Sequence, residues 1–407
     1  MLHKTIRFSK YKYFVKYFDL SWLQYLIQLN LIGMRIQLIV PTFLILSLSL
    51  LHLSASTPPA TLPIGSVAPD FNLKNVDGKN YSLKSFSDAN VLAIVFTCNH
   101  CPTAQAYEDR IKSLASEFKD KKVAVVAISS NDPKAIRLDE LGYTDMSDTY
   151  EEMQLRAKDK GYNFPYLYDG DNQATAQAYG PVATPHIFIF DKERKLRYTG
   201  RIDDVEKPTG TPKNKDAYNA IQELISGKPV TVATTKTFGC SMKWATKEHN
   251  VQDEEAGWAK ELVSLETIDE AGIKELISNK SDKLRLINVW ATWCGPCVTE
   301  FPDFMQMHHM YRNRDFEFIS ISADTPDKKE KALKFLQGKR ASNKNYIFHI
   351  EDKYKLIEAI DPNWQGALPY TILVEPGGKI VYAQQGPIDP KKMKKTVVEN
   401  KYVGRFY

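Results

Sequence analysis

Trp290-Ala-Thr-Trp293-Cys294-Gly295-Pro296-Cys297-Val-Thr-Glu300-Phe301-Pro302 joins two segments of opposite character. Before it, Leu284-Arg-Leu-Ile-Asn-Val289 is a short apolar run that reads as a buried strand. After it, Val298, Phe301, Phe304 and Met305 recur at helical spacing. The sequence thus predicts a strand, a pair of cysteines and a helix in immediate succession. Gly295-Pro296 suits a helix start, because proline is tolerated in the first turn. Cysteines three apart can close a disulfide across one turn. The first thiol would sit where unpaired N–H groups and the helix dipole favour a thiolate. A zinc site would need a second close pair in the same domain, and none follows Cys297. The motif therefore reads as redox-active, with no metal and no cofactor.

A second copy of this arrangement lies upstream. Val91-Leu-Ala-Ile-Val-Phe96 is too apolar for alternation and reads as a strand buried on both faces. Thr97-Cys98-Asn99-His100-Cys101-Pro102 follows, and then Ala104, Tyr107, Ile111, Leu114 and Phe118 at helical spacing. The downstream halves repeat too. Thr184-Pro185 precedes the apolar run Ile187–Phe190, and Leu368-Pro369 precedes Thr371–Val374. Lys195 and Lys379 stand ten residues past these prolines, and Tyr198 and Tyr382 three further. Matched offsets of this kind indicate a domain-scale repeat. The expected fold is α/β: two tandem domains, each a central mixed sheet flanked by helices and ending in a hairpin.

Strand, Trp-Cys-Gly-Pro-Cys, helix, and a proline five residues past the second cysteine resemble the thioredoxin superfamily. Glu300, and Asn288 where cytosolic relatives carry a buried Asp, resemble its TlpA/ResA-like extracytoplasmic branch. Ile64–Phe71, Cys98-Asn-His-Cys101-Pro102 and Gly239-Cys240-Ser-Met-Lys-Trp244 resemble redoxin domains of the AhpC/TSA-like type. The resemblance implies a thiol–disulfide oxidoreductase acting on protein thiols and disulfides. Apocytochrome c and other exported proteins are the clients it suggests, with a membrane or periplasmic electron donor. Cys294 and Cys98 would attack, and Cys297 and Cys101 would resolve. Glu300 would handle the Cys297 proton, and Trp293 would cover one side of the second site. Pro369 and Pro185 would be cis, leaving the backbone of Leu368 and Thr184 open to pair with a peptide. His100 would lower the pKa of Cys98, unless it is a plain helix-start residue. Cys240 is either a relay thiol or a buried unreactive one.

The peroxidase reading of the first domain is weaker. The peroxiredoxin pattern requires Pro, three residues, Thr or Ser, two residues, then Cys. Counting back from Cys101 finds Cys98 and Ile94 there, and counting back from Cys98 finds Val95 and Val91. A non-catalytic binding module is the other alternative.

The length of 407 residues accommodates two domains and a leader. The expected boundaries are a leader over 1–60, a first domain over 64–228, a join over 229–255 containing Cys240, and a second domain over 256–407. The formal charge of +5 is modest and concentrated in the first forty residues, so no nucleic-acid-binding surface is expected. Met34-Arg35 followed by the apolar run Ile36–Leu51 and by Ser54-Ala55-Ser56 reads as a cleaved signal from a start at Met34, or as an uncleaved anchor. Either places the remainder outside the cytoplasm, in the periplasm. The adjacent His308 and His309 are expected at the surface.

Overall fold

The computed structural model describes residues 59–207 and 209–405, so residues 1–58 of the expected leader lie outside the described residues. No helix among the described residues is long and apolar enough to cross a membrane.

The first sheet has seven strands in the order β2-β1-β5-β4-β3-β7-β8. These are β1 (Asn72–Asn75), β2 (Asn80–Ser82), β3 (Val91–Thr97), β4 (Val123–Ser129), β5 (Tyr166–Tyr168), β7 (His186–Phe190) and β8 (Leu196–Gly200). Strand β6 (Ala183–Thr184) instead pairs antiparallel with β9 (Cys240–Ser241). The second sheet has six strands in the order β10-β13-β12-β11-β14-β15. They are β10 (Glu266–Ile268), β11 (Leu284–Trp290), β12 (Phe316–Ser322), β13 (Lys344–Phe348), β14 (Tyr370–Val374) and β15 (Ile380–Gln385).

The two sheets share a plan. β3 lies between parallel β4 and antiparallel β7, as β11 lies between parallel β12 and antiparallel β14. Every residue of β3 and of β11 is buried, because helices cover both faces of each sheet. Polar residues inside such strands must find partners. Asn288 donates to Thr371 Oγ1 at 3.1 Å, and Arg285 Nε donates to Glu317 at 2.7 Å. The Thr184–Pro185 and Leu368–Pro369 bonds are both cis.

The domains share a hydrophobic contact. Ile136 and Leu141 leave the first domain to join the cluster around Phe304, Met310 and Tyr311 of the second. Burial of each aliphatic side chain is worth about 1.5–3 kcal/mol. Gly142 comes so close that an added Cβ would lie 2.8 Å from the Met310 carbonyl oxygen. Tyr311 Oη donates to the Thr144 carbonyl at 3.0 Å. Arg314 donates to the carbonyls of Gly142 at 2.8 Å and Val403 at 2.6 Å, with its guanidinium 3.8 Å from the Tyr143 ring centroid.

The join divides between the two domains. Residues 240–244 pack on the first domain, and Met242 and Trp244 enter its core beside Phe96 and Phe188. The helix Glu248–Trp258 then crosses to the second domain, where Trp258 stacks on His309 at a centroid distance of 3.8 Å. This corrects the surface placement of the histidine pair. His309 is buried, and burial of the half-buried His308 pushes its pKa down to about 3.

Replacing Arg314 by Ala leaves the Gly142 and Val403 carbonyls without that donor. The expected loss is about 1.5–3 kcal/mol, read as a lower urea midpoint at unchanged slope. An unshifted midpoint would show that the guanidinium adds nothing to the contact.

Candidate functional site

In the second domain the buried strand β11 ends at Trp290, and the chain turns through Thr292 and Trp293 into the helix Gly295–Tyr311. Asp324 holds this turn by accepting from Thr292 N at 2.9 Å and Thr292 Oγ1 at 2.7 Å. Cys294 is the N-cap residue, and its sulfur accepts the Cys297 N–H at 3.3 Å. The two cysteines form a disulfide. Trp293 is 59% exposed beside them, with Lys353 Nζ 5.2 Å from its ring centroid. Leu368 and Trp293 line the same shallow cavity, and Pro369 is buried next to Leu368.

Glu300 lies one helical turn past Cys297, on the same face. It is buried, accepts the Ile388 N–H at 2.9 Å, and takes a longer contact of 3.4 Å from Asn288 Nδ2. Burial drives its pKa up to about 7, and those two donors only partly offset it. A carboxyl titrating there can hold or release a proton near neutrality.

The first site is arranged differently. Strand β3 leads into Cys98, and Cys101 is the N-cap of the helix Pro102–Glu117. Both cysteines are buried. Between them the backbone is pinned by Asp148, which had no signature in the sequence. Its carboxylate accepts the N–H of Asn99 at 2.8 Å, the N–H of His100 at 3.1 Å and Asn131 Nδ2 at 2.8 Å. Its other contact is His100 Nδ1 at 2.7 Å. Burial opposes both charges, yet each raises the other's ionisation: His100 is held above its ordinary pKa and Asp148 below. The result is a buried ion pair directly beneath the cysteines.

The spacing suggested that His100 would favour a Cys98 thiolate, and the electrostatics point to the other sulfur. Burial, hydrogen bonding to Cys101 and the Asp148 charge push Cys98 up. Burial also opposes a Cys101 thiolate, but hydrogen bonds from Cys240 and Cys98, the His100 charge and the Ala104 N–H outweigh it. Cys101 is thereby held well below the usual thiol range. Cys98 Sγ donates to Thr184 Oγ1 at 3.3 Å, and Cys240 N–H donates to Cys101 Sγ at 3.3 Å. Thr184, the residue before Pro185, therefore meets both sequence-predicted cysteines of the first domain, and the third cysteine joins them. The ligand atoms of Cys98, His100 and Asp148 lie within 4.8 Å of one another.

Residues 64–199 match the AhpC/TSA family, and residues 265–401 match the Redoxin family. The chain is 26% identical over 156 residues to the thiol-disulfide oxidoreductase ResA of Oceanobacillus iheyensis, spanning 36% of this chain and 71% of that protein. It is 25% identical over 118 residues to ResA of Bacillus subtilis, spanning 29% of this chain and 62% of that one. A solved hypothetical protein of Sinorhizobium meliloti 1021 is 33% identical, with 46% of this chain and 97% of the other covered at a TM-score of 0.41.

The raised pKa of Glu300 has a definite thermodynamic sign. Between about pH 4.5 and 7 the unfolded chain has released this proton and the folded chain retains it, so stability falls as pH rises through that window. Glu300→Gln is expected to flatten the decline by on the order of 2 kcal/mol. Urea titrations at pH 4.5 and 7.5 measure this, and parallel profiles for both proteins would refute it.

Proposed function

We propose that this chain, a thiol–disulfide oxidoreductase whose two tandem domains belong to the thioredoxin superfamily, works outside the cytoplasm and exchanges disulfides with exported proteins. The second domain is the protein-facing site. The observation that carries this reading is the Cys294–Cys297 disulfide at a helix N-terminus, beside exposed Trp293 and with Leu368 packed against the same cluster.

In the reducing direction the Cys294 thiolate attacks one sulfur of a client disulfide. The client's second sulfur leaves as a thiolate, and a mixed disulfide remains. Cys297 then loses its proton and attacks Cys294. This releases the second client thiol and restores the Cys294–Cys297 disulfide. Glu300, one turn away on the same face and titrating near neutrality, is the group suited to accept that proton. A membrane or periplasmic donor would reduce the disulfide again. Likeness to the thiol-disulfide oxidoreductase ResA supports the exchange chemistry, and exported clients, apocytochrome c among them, are what the TlpA/ResA-like resemblance of the sequence implies.

The AhpC/TSA match over the first domain supports a second reading, in which that domain reduces peroxide. One experiment separates the two. With dithiothreitol as donor, the full chain is expected to reduce insulin disulfides, and Cys294→Ser to slow this by at least about a hundredfold. Cys98→Ser, in the domain assigned no protein client, is expected to leave most of the rate. Undiminished turnover in Cys294→Ser would remove the protein-facing role from the second domain. Peroxide consumption that depends on Cys101 would establish the second reading for the first domain.

A further inference from the structure

The first site is already filled by its own chain. Strand β9 lies antiparallel to β6, with Cys240 opposite Thr184 and Ser241 opposite Ala183. Thr184 precedes the cis proline, and its edge is where a client peptide was expected to pair. The occupying segment is built into the domain. Lys243 N donates to Asn131 Oδ1 at 2.9 Å, and the Lys243 carbonyl accepts Gln173 Nε2 at 2.8 Å and Asp132 N at 2.9 Å. Gly239 allows the approach for two separate reasons: its φ is +126°, and a Cβ there would lie 2.1 Å from the Thr184 carbonyl oxygen. Among the described residues no strand covers Leu368 of the second site in the same way.

The segment brings a thiol to a defined place. Cys98 and Cys101 are 2% and 0% exposed, whereas Cys240 is half-buried. Its backbone N–H points at Cys101 Sγ from 3.3 Å, and its side chain packs against the Cys98 and Cys101 cluster. Outside Cys240 is a cavity of about 350 Å³ lined by His100, Glu140, Tyr143 and Lys243. The buried His100 Nε2 has no hydrogen-bond partner among the described residues. A cavity of that size admits a small molecule and excludes a folded protein.

We propose that the working disulfide of the first domain is Cys101–Cys240, closed by reaction with a low-molecular-weight disulfide entering that cavity. This deepens the exchange chemistry proposed above and rests on it. In the first step Cys101 takes the Cys240 proton while Cys240 attacks the small disulfide. A Cys240–small-thiol mixed disulfide forms, and one small thiolate leaves. In the second step Cys101 attacks the Cys240 sulfur. The mixed disulfide breaks, the second small thiol leaves with the Cys101 proton, and the Cys101–Cys240 bond forms. Two protein thiols are oxidised and one small disulfide is reduced to two thiols. Cys98 remains reduced beneath the pair, donating to Thr184 Oγ1.

The test treats the fully reduced, full-length chain with 2-hydroxyethyl disulfide. Free thiols are then alkylated, and the non-reduced peptides are mapped by mass spectrometry. The expected product joins the peptide containing Cys101 to the one containing Cys240. Cys98→Ser retains that cross-link, and Cys101→Ser loses it completely, leaving Cys240 alkylated or joined to the small thiol. A Cys98–Cys101 bond with Cys240 alkylated overturns the proposal while leaving disulfide exchange at this site intact. All three thiols remaining alkylated overturns both.

Discussion

A strand with no residue in water can deliver its next residue to only one place, the end of the sheet. That constraint governs both halves of this molecule. Strands β3 and β11 are buried along their whole length, and each hands its chain to a helix that starts within a few residues. Cys98, Cys101 and Cys294 fall in that gap, and Cys297 falls in the first turn of its helix. There the unpaired N–H groups of the first helical turn are available to them. The chemistry thus follows from the layering: burying the central strands fixes where the cysteines emerge.

From the same starting geometry the two sites diverge through what surrounds the sulfurs. In the second domain the neighbours are Asn288 and an isolated carboxyl, Glu300, and the rim holds an exposed tryptophan. Desolvation of a single carboxyl makes it a proton carrier near neutrality. In the first domain a buried His100–Asp148 ion pair sets the field, its imidazole favouring a Cys101 thiolate and its carboxylate opposing one on Cys98. Its rim is occupied by β9. One site is open and tuned by a movable proton. The other is closed and tuned by a buried ion pair.

What the sequence revealed and what it hid divide along a physical line. Apolar runs, cysteine spacing, and the offsets from Pro185 to Tyr198 and from Pro369 to Tyr382 are local features, so the doubled fold could be read from them. The AhpC/TSA and Redoxin matches fall on the two halves so delimited. Asp148 was silent because it meets His100 across 48 residues, through a loop that carries no periodicity. The charge preference of Cys101 over Cys98 was hidden for a related reason: it depends on Cys240, 139 residues away. His309 was misplaced because Trp258 arrives from another helix to cover it, and helical spacing within one segment cannot register an outside cover.

The stretch from Pro133 to Thr144 touches both halves. Glu140 holds the Lys243 ammonium in an ion pair, while Ile136, Leu141 and Gly142 settle against the helix that Cys294 caps. Severing the chain near residue 228 would strip the first half of Cys240 and of two core side chains, Met242 and Trp244. Severing it after residue 247 would leave a greasy scar where Ile136 and Leu141 had been sheltered. The two halves therefore mature as one body, and neither cut yields a pair of intact independent modules.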